Sequence, residues 1–315
     1  MGNTYCKELL EYRLEGRTGS AHEIPLDYCN DRAGFFCSKS SLGRDANYIL
    51  MSAKVKCGTT GHNHMDLLSL FVNIRGQEII GEPYARELYH TAWVGSEQRG
   101  YLYNMESHNT VLAYGMPIQP DEIYASKWGV IRPDTPVSYF QSEKEGCYAE
   151  AYHDGYTHCR HVRKILSCRG RGFFIRDELI GGNRIKKSSI QRWHFFQDVS
   201  CQKVGDKAVL AEKNGVRVLL LWGGNPELTF WRKEELSPMI VREKKDLAMS
   251  LDVSFMADSF SPAGGLETIA QNLLILDVTE GMPDLPDVDE LWNQIFCQAG
   301  KGQLTQALEA FLKIK

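Results

Sequence analysis

The sequence predicts an all-β fold: a large antiparallel β-sandwich with a short C-terminal helical segment. Many short apolar stretches recur at close intervals along the chain, and glycine-containing turns separate most of them. Helical spacing is found only near the C-terminus. This pattern is typical of antiparallel sandwiches and not of alternating β and α units. A chain of 315 residues is long enough to bury a large core, in one domain or in two.

The first third of the chain predicts a lead-in followed by two long strands. Residues 1–30 are interpreted as a lead-in and linker, and residues 31–34 as the turn that opens a sandwich domain over residues 31–280. Strands are expected at residues 48–55 and from about 65 to 74. The second of these ends in a hairpin turn at residues 75–78, where Arg75-Gly76 is a turn signal.

Later strands recur at short intervals, and two helices end the chain. Strands are expected at residues 147–152, 161–168, 173–180, 192–196, 216–222, 249–255 and 268–278. Residues 281–315 are interpreted as a helical extension packed on the sandwich, with helices at 289–296 and 303–313. The second helix places four apolar side chains on one face, at Leu304, Ala307, Leu308 and Phe311.

Composition excludes several functional classes. The net charge of −4 gives no electrostatic reason to expect nucleic acid or an anionic membrane as a partner. No apolar run approaches the roughly 18 residues of a transmembrane helix. The nine cysteines contain no C-x-x-C pair, so neither a thiolate metal site nor a redox motif is indicated. Without an export signal, a cytoplasmic protein with reduced thiols is expected.

The segment Gly61-His62-Asn63-His64-Met65-Asp66 is the clearest candidate for chemistry. On an extended backbone, two histidines at positions i and i+2 point to the same side. Gly61 allows a sharp turn or a close backbone approach just before them. From Leu68 onward, apolar residues alternate with other residues as in a β-strand. The two histidines are therefore predicted to lie just before a strand that enters the core. The alternative is a pair of hydrogen-bonded edge histidines.

His64, Glu82 and His108 are candidate metal ligands. Each lies where a predicted strand begins or ends, so neighbouring strands could bring the three side chains to one edge. Imidazole and carboxylate groups suit Zn²⁺, which takes three or four such ligands. A buried polar cluster satisfied by hydrogen bonds is the alternative. A cupin site is not indicated, because Leu67, Leu68 and Ser69 occupy the window in which cupins have a glutamate.

Several ordered motifs resemble the heparinase II/III-like family of polysaccharide lyases. Gly61 to Ser69 resembles that family's G-H-x-H-x-D-x-L-S signature, and Ser107-His108-Asn109-Thr110-Val111 resembles its A-H-N-T-V segment. Weaker similarities accompany them, at Ala33-Gly34-Phe35-Phe36, Glu82-Pro83, Gly155-Tyr156, Arg160 and Arg176-Asp177. The resemblance covers residues 30 to 200 and extends more weakly beyond them.

The resemblance implies a fold, a reaction and a set of site residues. Members of the family have an N-terminal helical toroid followed by a large antiparallel sandwich. They cleave uronic-acid-containing polysaccharides, such as heparan sulfate or alginate, by β-elimination. Motif matching implies that His62 acts in the catalytic cleft and that His64, Glu82 and His108 bind a structural zinc ion.

The sequence departs from the family in ways that set further expectations. Glu82 stands where the family usually has Asp. Only about thirty residues precede the sandwich, so a helical toroid in the same protein or in a separate chain is the expected partner, and this chain alone is expected to have little or no lyase activity. The rival hypothesis is a non-catalytic sandwich that binds carbohydrate or a separate helical domain.

Two further groups of side chains have open interpretations. Trp93, Tyr101 and Tyr103 are candidates for stacking on sugar rings, with packing inside their own loop as the alternative. A basic run, formed by Arg160, Arg163, Arg169 and Arg171, is interpreted as a solvated strand face, with contact to a uronate polymer as the alternative. Asn109 is expected to fix the start of a strand through backbone hydrogen bonds.

Overall fold

The computed structural model describes residues 24–30, 34–54, 63–82, 101, 103–113, 118, 133–157, 159–181, 189–231, 249–255, 268–299 and 302–314. These residues form antiparallel strands and two α-helices, which confirms the predicted fold class. The strands are β1 (Asp27–Asn30), β2 (Phe35–Lys39), β3 (Tyr48–Ser52), β4 (Leu70–Ile74), β5 (Gln77–Ile80), β6 (Val111–Leu112), β7 (Val137–Glu143), β8 (Gly146–His153), β9 (Arg160–Cys168), β10 (Gly172–Ile180), β11 (Ser189–His194), β12 (Ser200–Gly205), β13 (Ala208–Lys213), β14 (Val216–Trp222), β15 (Glu227–Trp231), β16 (Ser250–Phe255) and β17 (Thr268–Asp277). The helices are α1 (Val288–Ala299) and α2 (Leu304–Leu312).

The strands form three sheets. One sheet has five strands in the order β1-β2-β3-β4-β5, and the largest has eight in the order β12-β13-β14-β17-β10-β9-β8-β7. A four-stranded sheet has the order β15-β16-β11-β6. A bridge between Ile80 and Phe195 links the ends of the first and third sheets.

The central strands of the eight-stranded sheet are buried on both faces. Their side chains alternate along each strand, so that Leu273 and Ile275 of β17 face the other two sheets, while Leu274 and Leu276 face the helices. All four apolar residues predicted on one face of the last helix are buried in this second core. The helices therefore cover a sheet face that would otherwise expose a large apolar surface.

The hairpin between β4 and β5 has the predicted turn. Arg75 and Gly76 have φ angles of 48° and 74°, which is the left-handed conformation that a two-residue hairpin turn requires. A Cβ atom at Gly76 would lie 2.3 Å from the carbonyl oxygen of Arg44, so only glycine fits there.

Two sequence-based expectations are wrong. The strand expected from about residue 65 begins only at Leu70, because Leu67 and Leu68 form a turn in which Leu68 has a φ of 57°. Arg163 is fully buried, although the basic run was expected to be solvated. Among the described residues, no helix is long and apolar enough to cross a membrane.

Candidate functional site

The candidate site lies where three connecting segments meet. They are residues 63–69 before β4, residues 81–82 after β5, and residues 103–110 before β6. Backbone and side-chain hydrogen bonds join the first and third segments: the Met65 amide donates to the Tyr103 carbonyl at 2.8 Å, and the Thr110 hydroxyl donates to the Leu67 carbonyl at 2.6 Å. The turn at Leu67 and Leu68 thus bends the chain so that His64 faces the third segment.

The structure brings His64, Glu82 and His108 together. Nδ1 of His108 lies 2.7 Å from Oε1 of Glu82, and the ring centroids of His64 and His108 are 5.5 Å apart. The Ser69 hydroxyl donates to the same Glu82 oxygen at 2.9 Å. His108 is almost fully buried, whereas the Glu82 side chain is 13% exposed. The three predicted ligands are therefore neighbours at the edge of the core.

The donor set suits zinc in type, but its arrangement is that of a hydrogen-bonded cluster. Among the described residues, no three His, Cys, Asp or Glu side chains already have the arrangement of a metal site. Two ligands of a tetrahedral zinc ion, each about 2.0–2.1 Å from the metal, would lie about 3.3 Å apart. The contact of 2.7 Å between His108 and Glu82 is shorter. If zinc were bound by these same two atoms, they would have to separate by roughly half an ångström.

Asn109 holds the three segments in register, as the sequence predicted. Its amide nitrogen donates to the carbonyl oxygens of Leu70 and Gly81, at 2.8 and 2.9 Å, and its amide oxygen accepts from the backbone N–H of His194 at 2.6 Å. The side chain is fully buried. Because every one of these contacts is to backbone, Asn109 fixes the positions of its neighbours and has no contact left for a substrate.

Arg163 is a buried side chain that holds the backbone of the site in place. Its Nη1 atom donates to the carbonyl oxygens of Leu68 and Asn109, at 2.6 and 2.8 Å, so that one guanidinium group joins the His64 and His108 segments. Its Nε and Nη2 atoms bind the two carboxylate oxygens of Asp177, each at 2.7 Å. Sequence reasoning missed this role, because a basic residue on a strand is usually exposed.

Asp177 and two histidines complete this buried cluster. Asp177 also accepts from Gln191 Nε2 at 2.7 Å and lies 2.8 Å from Nε2 of His161. His161 Nδ1 in turn lies 3.2 Å from His153 Nε2. When each imidazole carries one proton, the hydrogen bonds from His153 to His161 and from His161 to Asp177 each have one donor and one acceptor. Burial lowers the pKa of His161, and the ion pair with Arg163 keeps the pKa of Asp177 below its usual value despite its burial.

A second polar group lies beside the His108 segment. The Arg192 guanidinium pairs with both carboxylate oxygens of Asp252, and its Cζ atom lies 4.8 Å from the centre of the Trp231 ring. His194 donates from Nε2 to the Glu106 carbonyl at 3.1 Å, and its pKa is lowered to about 3 by burial and by the Arg192 charge. These residues fix the backbone that leads to His108.

The remaining predicted site residues have different outcomes. His62 and Trp93 lie outside the described residues. Tyr101 donates its hydroxyl to the Glu106 carbonyl at 3.1 Å. Tyr103 is only 8% exposed; it packs in a cluster with Met65, and its ring centroid lies 5.0 Å from that of His64. This environment favours the packing role of Tyr103 over stacking on a sugar.

Comparisons with known proteins agree with this architecture. Residues 32–285 match the family described as "Heparinase II/III-like, C-terminal". Similar solved structures include the heparinase III-BT4657 gene product, with a TM-score of 0.64 and 16% identity over 88% of this chain and 40% of that one. Heparan sulfate lyase HepC from Pedobacter heparinus has a TM-score of 0.62 and 13% identity, over 88% of this chain and 40% of that one. The chain thus spans about 40% of the length of these structures, and a comparison with curated proteins finds no match.

Proposed function

Because this chain belongs to the heparinase II/III-like family, we propose that it is the C-terminal domain of a polysaccharide lyase. The substrate class is a uronic-acid-containing polysaccharide of the heparan sulfate or alginate type. One observation in the structure supports this proposal most directly. The segment that follows His62 is held rigidly against the His108 segment by Arg163 and Asn109, which is the preorganisation that a catalytic group needs.

The proposed reaction is β-elimination. A base removes the proton from C5 of the uronate, the electron pair forms a double bond between C4 and C5, and the C4–O4 bond breaks. An acid protonates the departing O4, and the uronate carboxylate must be neutralised so that the C5 proton becomes removable. The products are one chain with an unsaturated uronate at its end and one with a free hydroxyl group.

We propose, from the motif, that His62 acts on the substrate. Asn63, the neighbour of His62, is nearly buried and accepts a hydrogen bond from Lys54 Nζ at 2.9 Å, and Met65 is tied to Tyr103. A histidine beside such a fixed stretch can neutralise a carboxylate or transfer a proton near neutral pH. Most of the other catalytic groups are proposed to come from an N-terminal helical toroid, in the same protein or in a partner chain.

We propose a structural role for zinc at His64, Glu82 and His108. When bound, zinc would supply a fixed link between the three segments, and no chemical step depends on it. The support is the donor type of the three side chains and their proximity. Ser69 would hold Glu82 in place, since it already donates to one of its oxygens.

The test is a lyase assay on this chain alone and together with its helical domain. We expect unsaturated uronate products only from the joined protein, and we expect His62→Ala to abolish them without changing the unfolding transition. Glu212→Ala, a change at an exposed position of β13, is the matched control and should retain full activity. No product from any uronate polymer would contradict the lyase proposal and favour a non-catalytic binding sandwich. Full activity of His62→Ala would remove His62 from the site.

A further inference from the structure

A polar cavity of about 580 Å³ lies beside helix α1 and shares no lining residue with the candidate site. It is lined by the loop after β14, the start of β15, the end of β16, the first half of β17 and the first turns of α1, together with Arg176 of β10. Its volume falls within the range of about 300–1,000 Å³ that is usual for small-molecule sites. Neither the lyase reaction nor the zinc proposal uses any of these residues.

The walls of the cavity are held by one carboxylate. Asp289 accepts hydrogen bonds from the backbone N–H of Gly224 and from the side chain of Asn272, both at 2.6 Å. A Cβ atom at Gly223 would lie 2.1 Å from an oxygen of Asp289, so the close approach of helix and loop requires glycine there. The loop, the strand and the helix are therefore fixed relative to one another before any ligand binds.

Arg176 contributes a guanidinium group to the lining of the cavity. Its guanidinium lies 4.1 Å from the centre of the Trp292 ring, and it donates to Glu178 at 2.6 Å and to Asn272 at 3.2 Å. Its Nη2 atom has no hydrogen-bond partner within the described ranges and is available to a ligand. Since Arg176 lies over the Trp292 ring, the cavity offers hydrogen bonds rather than a bare aromatic surface.

The lining determines the charge of a suitable ligand. Arg176 is its only cation among the described residues, whereas Asp289 and Glu227 are both acidic. Side-chain amides fill much of the remainder: those of Gln271 and Asn272 are buried and hydrogen-bonded within the protein, while those of Asn225 and Asn293 are exposed. Two carboxylates against one arginine disfavour an anion, while amides beside carboxylates and a guanidinium match groups that both donate and accept.

We propose that this cavity binds an uncharged pyranose unit of a carbohydrate. Each hydroxyl of such a ring can donate to a carboxylate or amide oxygen and accept from the arginine or an amide nitrogen. The ligand differs in charge from the uronate proposed for the candidate site. This inference does not depend on the lyase proposal, because the cavity could serve a catalytic or a purely binding protein.

The test is a titration of the full chain, followed by NMR, with N-acetylglucosamine, glucose and glucuronic acid as probes. We expect the two neutral sugars to shift the Trp292 indole signal and the side-chain amide signals of Asn225 and Asn293. Glucuronic acid should bind at least about tenfold more weakly, because its carboxylate meets Asp289 and Glu227.

Variants at the rim of the cavity distinguish specific binding from general surface contact. The double variant Asn225→Ala/Asn293→Ala loses two exposed hydrogen-bonding groups and should bind the neutral sugars about tenfold more weakly. Gln294→Ala changes the next residue of α1, which is exposed and outside the lining, and should bind as the unaltered chain does. The proposal is overturned if neutral sugars shift no cavity signal, if glucuronic acid binds as well, or if the double variant binds unchanged.

Discussion

Two carboxylates in this protein each interact with histidine, and they differ in what remains available to a ligand. Asp177 is fully buried, and both of its oxygens are occupied, one by His161 and Arg163 Nε, the other by Arg163 Nη2 and Gln191. Glu82 is partly exposed, and its two hydrogen bonds, from Ser69 and His108, both go to Oε1. Within the described residues, Oε2 of Glu82 has no hydrogen-bond partner.

The Asp177 cluster is structural, whereas the Glu82 cluster can still bind a ligand. A carboxylate whose oxygens are saturated by an arginine, an amide and an imidazole has no free position for a metal or substrate, so its role is to hold strands and loops together. A carboxylate with one free oxygen at the edge of the core can still accept a ligand. The Asp177 cluster therefore belongs to the scaffold and the Glu82 cluster to the candidate site.

The largest effect is expected from removing the arginine of the buried cluster. Arg163→Leu leaves the Asp177 charge buried without its main partner and frees two carbonyl oxygens, at Leu68 and Asn109. We expect the free energy of unfolding to fall by about 3–5 kcal/mol, as for other broken buried ion pairs. Urea unfolding followed by circular dichroism measures this change.

The control is the arginine three residues earlier in the same strand. Arg160 pairs with Asp154 at the surface, where its side chain is 46% exposed, so Arg160→Leu should cost less than about 1 kcal/mol. Equal destabilisation by the two changes would show that the buried cluster has no special structural role.

These residues also show what the sequence could predict and what it could not. Short apolar stretches between turn signals predicted β9, β10, β14 and β17 to within a residue or two, and the helical face of α2 was predicted residue by residue. The burial of Arg163 could not be predicted, because it depends on Asp177 lying opposite in the neighbouring strand, where the two are paired in register. Local pattern contains no information on that pairing.

The candidate site was likewise predicted only in part. His64, Glu82 and His108 were identified as a set by residue type and by motif, and the structure brings them together. The turn at Leu67 and Leu68 was missed, since its apolar residues continue the alternation of a strand. Short exposed strands such as β12 were missed because few apolar residues mark them.

The zinc content of the purified chain shows whether the Glu82 cluster binds metal. We expect about one zinc ion per purified chain, and its loss in His64→Ala, because removing one of three ligands leaves too few for tight binding. Metal analysis by mass spectrometry gives the content, and chelation should lower the melting temperature of the unaltered chain only. Glu212→Ala serves as the control, since that carboxylate lies at an exposed position of β13 and its loss should leave the zinc content unchanged. Absence of zinc from the unaltered chain would mean that the His108–Glu82 hydrogen bond is the final state of this cluster.

The smallest effect concerns pH and belongs to His161. Its pKa is lowered from 6.5 in the folded chain, mainly by burial, and the nearby Arg163 lowers it further, while Asp177 opposes the shift. Below pH 6.5 the unfolded chain therefore binds a proton that the folded chain does not, so stability falls as the pH falls, by at most about 1.4 kcal/mol per pH unit from this residue. Urea unfolding between pH 7.5 and 5 measures the slope. His161→Gln keeps a donor for Asp177 without titrating, so its slope should be shallower by that amount, whatever its stability at pH 7.5. Parallel slopes for the two proteins would mean that His161 accepts a proton inside the folded chain, where burial and the charge of Arg163 oppose it.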